Sequence, residues 1–330
     1  MDVSALTTLA TYSELSGSTC LVTGAAGFVG SNLVDRLLEQ RCHVLALDCF
    51  TDYYSRALKA ANVRRMVDHP RCQLVEADLA IAELAPLLDG VDYVFHQAGQ
   101  AGVRASWGDS FASYTHCNVL ATQRLLEAAR EARLRRFIYA SSSSIYGNTP
   151  DLPMRETSLP RPTSPYGVTK LAAEHLCGLY HDNFGVPTVS LRYFTVYGPR
   201  QRPDMAFHKF IRWALAGQAI TLFGDGSQSR DVTYVGDVVD ANVLAATHGQ
   251  SGRVYNIGGG SRITIADVIA LLEDILGCPV RVDRQPVQAG DVAHTEADCS
   301  AARAIGFAPR VGVAEGLRAE ANWLKEGVLV

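Results

Sequence analysis

From Ser18 onward, short apolar runs rich in β-branched and aromatic residues alternate with stretches whose apolar positions recur at helical spacing. The runs are CLVTG (20–24), HVLALD (43–48), CQLVEAD (72–78), YVFHQA (93–98), FIYASS (137–142) and TVSLRYF (188–194). Helical stretches are predicted between and after them at 28–40, 55–67, 81–89, 109–132 and 166–184. Runs apolar at every position belong to strands covered on both faces, so the pattern predicts a doubly wound α/β fold around a parallel sheet. After about residue 195 the rhythm loosens and Pro and Gly accumulate in GPRQRP, FGDGS and NIGGG, which predicts a smaller, loop-rich C-terminal α/β unit. RDVTYVGDVVDAN (230–242) reads as a strand and helix that return to the main sheet. The expected division is therefore 18–194 plus about 228–258 in the first domain, and about 195–227 plus 259–330 in the second. Residues 1–17 are expected to be an extension, partly disordered or draped on the surface.

The formal net charge of −4 over 330 residues argues against nucleic acid or an anionic membrane as partner, because such binders need clustered excess Lys and Arg. No apolar run reaches a membrane span and the N-terminus lacks a signal-peptide pattern, so a cytoplasmic protein is expected. The eight cysteines are scattered, without zinc spacing, and read as reduced packing residues; no metal is expected. If the helices at 109–132 and 166–184 share one side of the sheet, their long apolar faces could bury a second copy of the chain, so a homodimer is expected.

Chemistry enters directly after the first strand, where Gly24-Ala25-Ala26-Gly27-Phe28-Val29-Gly30 opens a helix. Glycines there let the backbone turn sharply and bring a pyrophosphate onto the N–H groups of the helix N-terminus, the arrangement of a Rossmann-type dinucleotide site. Asp48 ends the second strand, 18 residues past Gly30, where a carboxylate would accept from ribose hydroxyls and repel a 2′-phosphate, which favours NAD over NADP. Asp78, followed by Leu79, ends the third strand and is placed to meet the adenine edge.

Tyr166 and Lys170 stand four apart on one helical face. A free phenol is a poor base at neutral pH, but an ammonium about 4 Å away at an effective dielectric near 20 would supply about 4 kcal/mol, or roughly three pKa units. The pair follows a strand ending in Ser141-Ser142-Ser143-Ser144, at the carboxyl edge where open sheets bind ligands, and a hydroxyl there can share the moving proton.

With these features the sequence resembles an extended short-chain dehydrogenase/reductase of the NAD-dependent epimerase/dehydratase family, from about Ser18 to the C-terminus. Further matching segments are Val94–Ala98, Asn118–Thr122, Leu191–Phe194, Arg230–Val235 and Gly290–Val292. Within the family it is similar to UDP-glucuronate 4-epimerases at Ala101–Arg104, Phe194–Pro199 and Arg202–Ala206. The resemblance implies that Ser142 and Tyr166 handle the proton, that Lys170 orients the ribose and lowers the phenol pKa, and that Gln97, Ala98 and Tyr193 flank the NAD. It implies further that Ser143 and Arg104 lie near the substrate, that Thr195 and Arg202 hold a sugar carboxylate, and that Phe223, Arg230 and Asp291 surround the nucleotide. Gln97-Ala98-Gly99 departs from the aliphatic residue and two alanines more frequent in the family, and Ser142 stands where Thr is frequent.

Family members share oxidation at sugar C4 and diverge by what else sits beside the ketone. Dehydratases carry an Asp-Glu pair after the catalytic hydroxyl and decarboxylating relatives a Glu at the second of those positions; here they are Ser143 and Ser144. The expected activity is therefore epimerisation of a UDP-sugar, UDP-glucuronate to UDP-galacturonate, with UDP-glucose/UDP-galactose as the main rival. A 4,6-dehydratase or decarboxylase and a non-catalytic NAD-sensing scaffold are the remaining alternatives.

Overall fold

The computed structural model describes residues 14–286 and 292–327. Its centre is a seven-stranded parallel sheet built from β1 (Thr19–Thr23), β2 (His43–Asp48), β3 (Cys72–Glu76), β4 (Tyr93–His96), β5 (Arg136–Ser142), β6 (Thr188–Tyr193) and β10 (Val254–Ile257), in the order β10-β6-β5-β4-β1-β2-β3. The strand order reverses between β1 and β4, and the cleft at their carboxyl ends is where such sheets receive a ligand.

Alternation along β5 shows why the sheet is buried twice. Ile138 packs into the layer formed by helices α1 (Phe28–Glu39) and α6 (Val235–His248), with Leu33, Leu37 and Val238. Phe137 and Tyr139 point into the opposite layer, against Leu125 and Cys177. That second layer comes from α4 (Pro165–Phe184) and α3, which begins at Phe111–Tyr114 and resumes at Ala121–Ala129. Between these two parts Thr115–Leu120 winds as a π-helix, a local widening that the periodicity of 109–132 does not reveal.

Two further elements differ from the expectation. The stretch 81–89 forms only a 3-10 turn, Ala85–Leu88, because Pro86 lacks an N–H and disfavours helical geometry at the residue before it. The segment 230–242 does not add its strand to the main sheet: β9 (Ser229–Tyr234) lies between β7 (Thr195–Tyr197) and β11 (Arg262–Thr264) in a three-stranded sheet. The seat beside β6 is taken by β10, with Val254 opposite Ser190, while α6 returns to cover the main sheet. A parallel pair, β8 (Ile220–Phe223) with β12 (Val282–Gln285), packs with α5 (Ala206–Leu215), α7 (Ile265–Leu276) and α9 (Val313–Gly327) around a separate core that includes Ile211, Leu272 and Leu317. Among the described residues no helix is long and apolar enough to cross a membrane, and no three His, Cys, Asp or Glu side chains gather as metal ligands.

Candidate active site

A cavity of about 460 Å³ runs from the carboxyl ends of β1 and β2 to the loop that follows β7. Gly24, Gly27, Phe28, Val29 and Gly30 line one end. Gly24 adopts φ of +68°, and a Cβ on Gly30 would sit 2.1 Å from the Gly24 carbonyl oxygen, so both positions require glycine. Helix α1 begins at Gly27 without a side-chain cap and without an acidic residue in its first turn. Its N-terminal amides are thereby left to an anion, the feature a dinucleotide pyrophosphate needs.

Asp48 is buried at the cavity wall; it accepts from the Ala26 amide (3.0 Å) and from the Phe50 amide (2.7 Å), and so braces the glycine turn. The buried ammonium of Lys59 lies 3.8 Å from it and donates to Thr51 (3.1 Å). Asp78 and Leu79 also line the cavity. Asp78 accepts from the Ala80 amide (2.8 Å) and pairs with His116 (2.8 Å); burial works to raise its carboxyl, but these partners hold it below the usual carboxylate range. Gln97, Ala98 and Tyr193 lie along the cavity too, with Gln97 and Tyr193 joined to Asn242 in a hydrogen-bonded triad at 2.8–3.1 Å.

The opposite end holds Ser142, Ser143, Tyr166, Lys170, Thr195 and Arg202. Ser142 closes β5 and accepts from the Ser144 amide (3.1 Å), while Ser164 caps α4 by accepting from the Gly167 amide (3.1 Å), which with Pro165 sets the first turn carrying Tyr166. Ser142 and Tyr166 line the same end of the cavity, and the Ser142 hydroxyl acts on the phenol. Burial raises the Tyr166 phenol above its ordinary pKa, opposed by the Ser142 hydrogen bond and by the Arg202 charge. The Lys170 ammonium donates to the Ala140 carbonyl (2.8 Å) and lies over the Tyr139 ring, and burial lowers its pKa to about 8. The Lys170 ammonium is directed at the end of β5, and the Arg202 charge works to lower the phenol.

Arg202 is placed by a loop pinned from both sides. Asn32 and Asp35 of α1 hold Pro199 (3.2 Å) and Arg200 (2.6 Å), and Glu320 of α9 accepts from the Gly198 amide (2.8 Å). Glu320 is fully buried, its second oxygen is without a partner, and burial pushes its carboxyl up to about 8. Between pH 4.5, its ordinary value, and about 8, the unfolded chain has lost a proton that the folded chain keeps. Stability contributed here therefore falls as pH rises through that window, by about 1.4 kcal/mol per pH unit. Glu320→Gln is expected to melt higher than the parent at pH 8 and to lose that advantage near pH 5. Calorimetry showing the same gap at both pH values would contradict the assignment.

Several candidates lie elsewhere. Arg104 stacks over Phe223, 4.4 Å from guanidinium to ring centroid, and neither residue lines the cavity. Arg230, also outside the lining, donates to the Ser229 (2.9 Å) and Ala293 (3.1 Å) carbonyls. Asp291 lies outside the described residues. Other cavity residues had no role from sequence: Tyr53, Lys59 and Asp204. Asn118, turned inward by the π-helical segment, clamps Gln100 through both backbone groups (2.7 and 2.9 Å) and reaches Thr169 (2.9 Å). Its segment, Asn118–Thr122, carried the only advance signal.

Residues 20–258 match the profile of a family described as the NAD dependent epimerase/dehydratase family. The chain belongs to this family. A crystal structure of UDP-glucuronic acid 4-epimerase from Bacillus cereus, in complex with UDP-glucuronic acid and NAD, superimposes with a TM-score of 0.91 at 43% identity, covering 93% of this chain and 99% of that one. A Bacillus subtilis protein named "Uncharacterized UDP-glucose epimerase YtcB" is 44% identical over 92% of this chain and 97% of its own length. The UDP-glucuronate 4-epimerase of Thermodesulfobacterium geofontis is 34% identical over 93% and 96%, respectively. Ser143 and Ser144 line the cavity after Ser142, and neither brings a carboxylate to its wall.

Proposed function

We propose that this chain is an NAD-dependent nucleotide-sugar 4-epimerase that interconverts UDP-glucuronate and UDP-galacturonate. The observation that carries the reading is one cavity lined by an uncapped glycine-rich helix N-terminus, by Ser142 and Tyr166, and by Thr195 and Arg202, with serines where an elimination would need acids. The B. cereus enzyme of the same fold, bound to UDP-glucuronic acid and NAD, supports it.

Bound NAD supplies a reversible acceptor for the hydrogen at sugar C4 and a positive charge beside the phenol. Gly24, Gly27 and the amides of Phe28 and Val29 would hold its pyrophosphate, Asp48 the adenosine ribose, and Lys170 the nicotinamide ribose. Tyr166 accepts the O4 proton as the alcohol becomes a ketone and returns it when the sugar has presented its other face, with Ser142 sharing the proton. Thr195 and Arg202 hold the uronate carboxylate away from alignment with the ketone, which both recognises it and hinders loss of carbon dioxide. Phe223 and Arg230 are assigned to the nucleotide portion of the substrate, and Arg104, stacked over Phe223, to substrate binding.

Turnover of UDP-glucuronate against UDP-glucose tests the sugar assignment. Formation of UDP-galacturonate is expected, and turnover of UDP-glucose alone would transfer the chain to the neutral-sugar rival.

A homodimer completes the proposal. Leu120, Val168, Leu179 and Phe184 stand 44–55% exposed on α3 and α4, adjacent helices of one layer, and a single monomeric species in equilibrium sedimentation at micromolar concentration would remove it. A cytoplasmic location is supported by eight unpaired cysteines, as a reducing compartment maintains; measured disulfide content in the isolated protein would argue against it.

A further inference from the structure

We propose that Asp204 is a built-in stand-in for the substrate carboxylate: it occupies Arg202 in the absence of a uronate and so sets how strongly the site prefers an acidic sugar over a neutral one. The inference rests on the epimerase reading above. Asp204 takes the Nε and Nη2 donors of Arg202 in a two-point fork, both at 2.9 Å. The two residues flank Pro203, whose ring limits the turn, and the Met205 amide closes that turn on the Arg202 carbonyl (3.1 Å). Arginine and carboxylate are thus paired within one rigid loop, and both line the cavity that holds Tyr166.

Asp204 is itself held from the cofactor side. The Tyr53 hydroxyl donates to its Oδ2 (3.3 Å) and is wedged against Gly102, where a Cβ would come within 2.5 Å of the Tyr53 oxygen. Burial alone would raise the Asp204 carboxyl, and Arg202 overrides it, holding the carboxyl below its usual range.

The consequence is competition for one guanidinium. With a neutral sugar bound, Arg202 keeps its counter-charge and no buried cation is stranded. With a uronate bound, two carboxylates share Arg202 and repel each other across a few ångströms in a partly desolvated pocket, so part of the Arg202 attraction is cancelled. That repulsion outweighs the gain from having one side-chain rotamer fixed in advance. Removing the Asp204 charge therefore favours the acidic sugar and disfavours the neutral one.

The test is binding to NAD-loaded protein, measured by calorimetry in a Tyr166→Phe background so that the ligands do not turn over, with UDP-glucuronate, UDP-glucose and UDP as ligands. Asp204→Asn is expected to shift the ratio of UDP-glucuronate to UDP-glucose affinity toward the uronate by about tenfold, equivalent to 1.4 kcal/mol, with UDP binding unchanged. Asp204→Glu, which keeps the charge, is expected to stay near the parent ratio; a loss through misfolding alone would move both variants and all three ligands together. An unchanged ratio in Asp204→Asn, or weaker uronate binding, overturns the stand-in role while leaving the epimerase reading intact. A parent protein that binds UDP-glucose and not UDP-glucuronate overturns both.

Discussion

Tyr166→Phe is expected to lower kcat by about a thousandfold, within the range that a positioned proton-transfer group contributes, while NAD and nucleotide-sugar binding persist. The loss belongs to chemistry because the ring remains: its edge-to-face contact with Tyr114, at 6.2 Å between centroids, does not involve the hydroxyl. What disappears is the oxygen on which Ser142 and Arg202 act. Steady-state kinetics together with the NAD content of the purified variant separate the two effects. Full activity in Tyr166→Phe would move the proton transfer to another group.

Gly30→Ala is the second large effect, and it falls on the cofactor. The added Cβ would meet the Gly24 oxygen at 2.1 Å and the Gly24 carbonyl carbon at 2.8 Å. Both are backbone atoms of the turn that presents the pyrophosphate amides, so they cannot swing aside as a flexible side chain would. The turn must open, at a cost of about 1–3 kcal/mol typical of overpacking, which also uncouples Asp48 from the Ala26 amide. Purified Gly30→Ala is expected to carry little NAD and to need added cofactor for turnover. A variant that retains its NAD would show that the turn tolerates the methyl group.

These two sites were legible in the sequence because each is local. A glycine turn between strand and helix, and a Tyr and Lys one helical turn apart, are read from neighbours along the chain, and the six strands from β1 to β6 fall where their apolar runs place them. The sources of charge were less legible. Sequence spacing puts Lys170 one helical turn from Tyr166, but it gives no sign that Arg202, 36 residues past Tyr166 on a loop held by α1 and α9, brings a charge that lowers the phenol. That placement depends on contacts between elements distant in the chain, which no periodicity encodes. The same holds for β9, since a strand with the right pattern for a sheet does not specify which sheet, and β10 takes the edge beside β6. Asn118 was concealed for a different reason: a π-helical segment changes the face that a residue presents, and hydrophobic spacing computed for an α-helix misassigns it.

At the centre of this view of the site is a sugar oxidised and reduced at C4 within one binding event, its proton held by Tyr166. The direct measurement uses UDP-glucuronate carrying deuterium at C4, incubated with the NAD-loaded protein in ordinary water and followed by mass spectrometry and proton NMR. The expected product is UDP-galacturonate with the deuterium retained at C4, no carbon dioxide and no accumulating reduced cofactor. Deuterium exchanged for solvent hydrogen, or release of carbon dioxide in step with turnover, would contradict it.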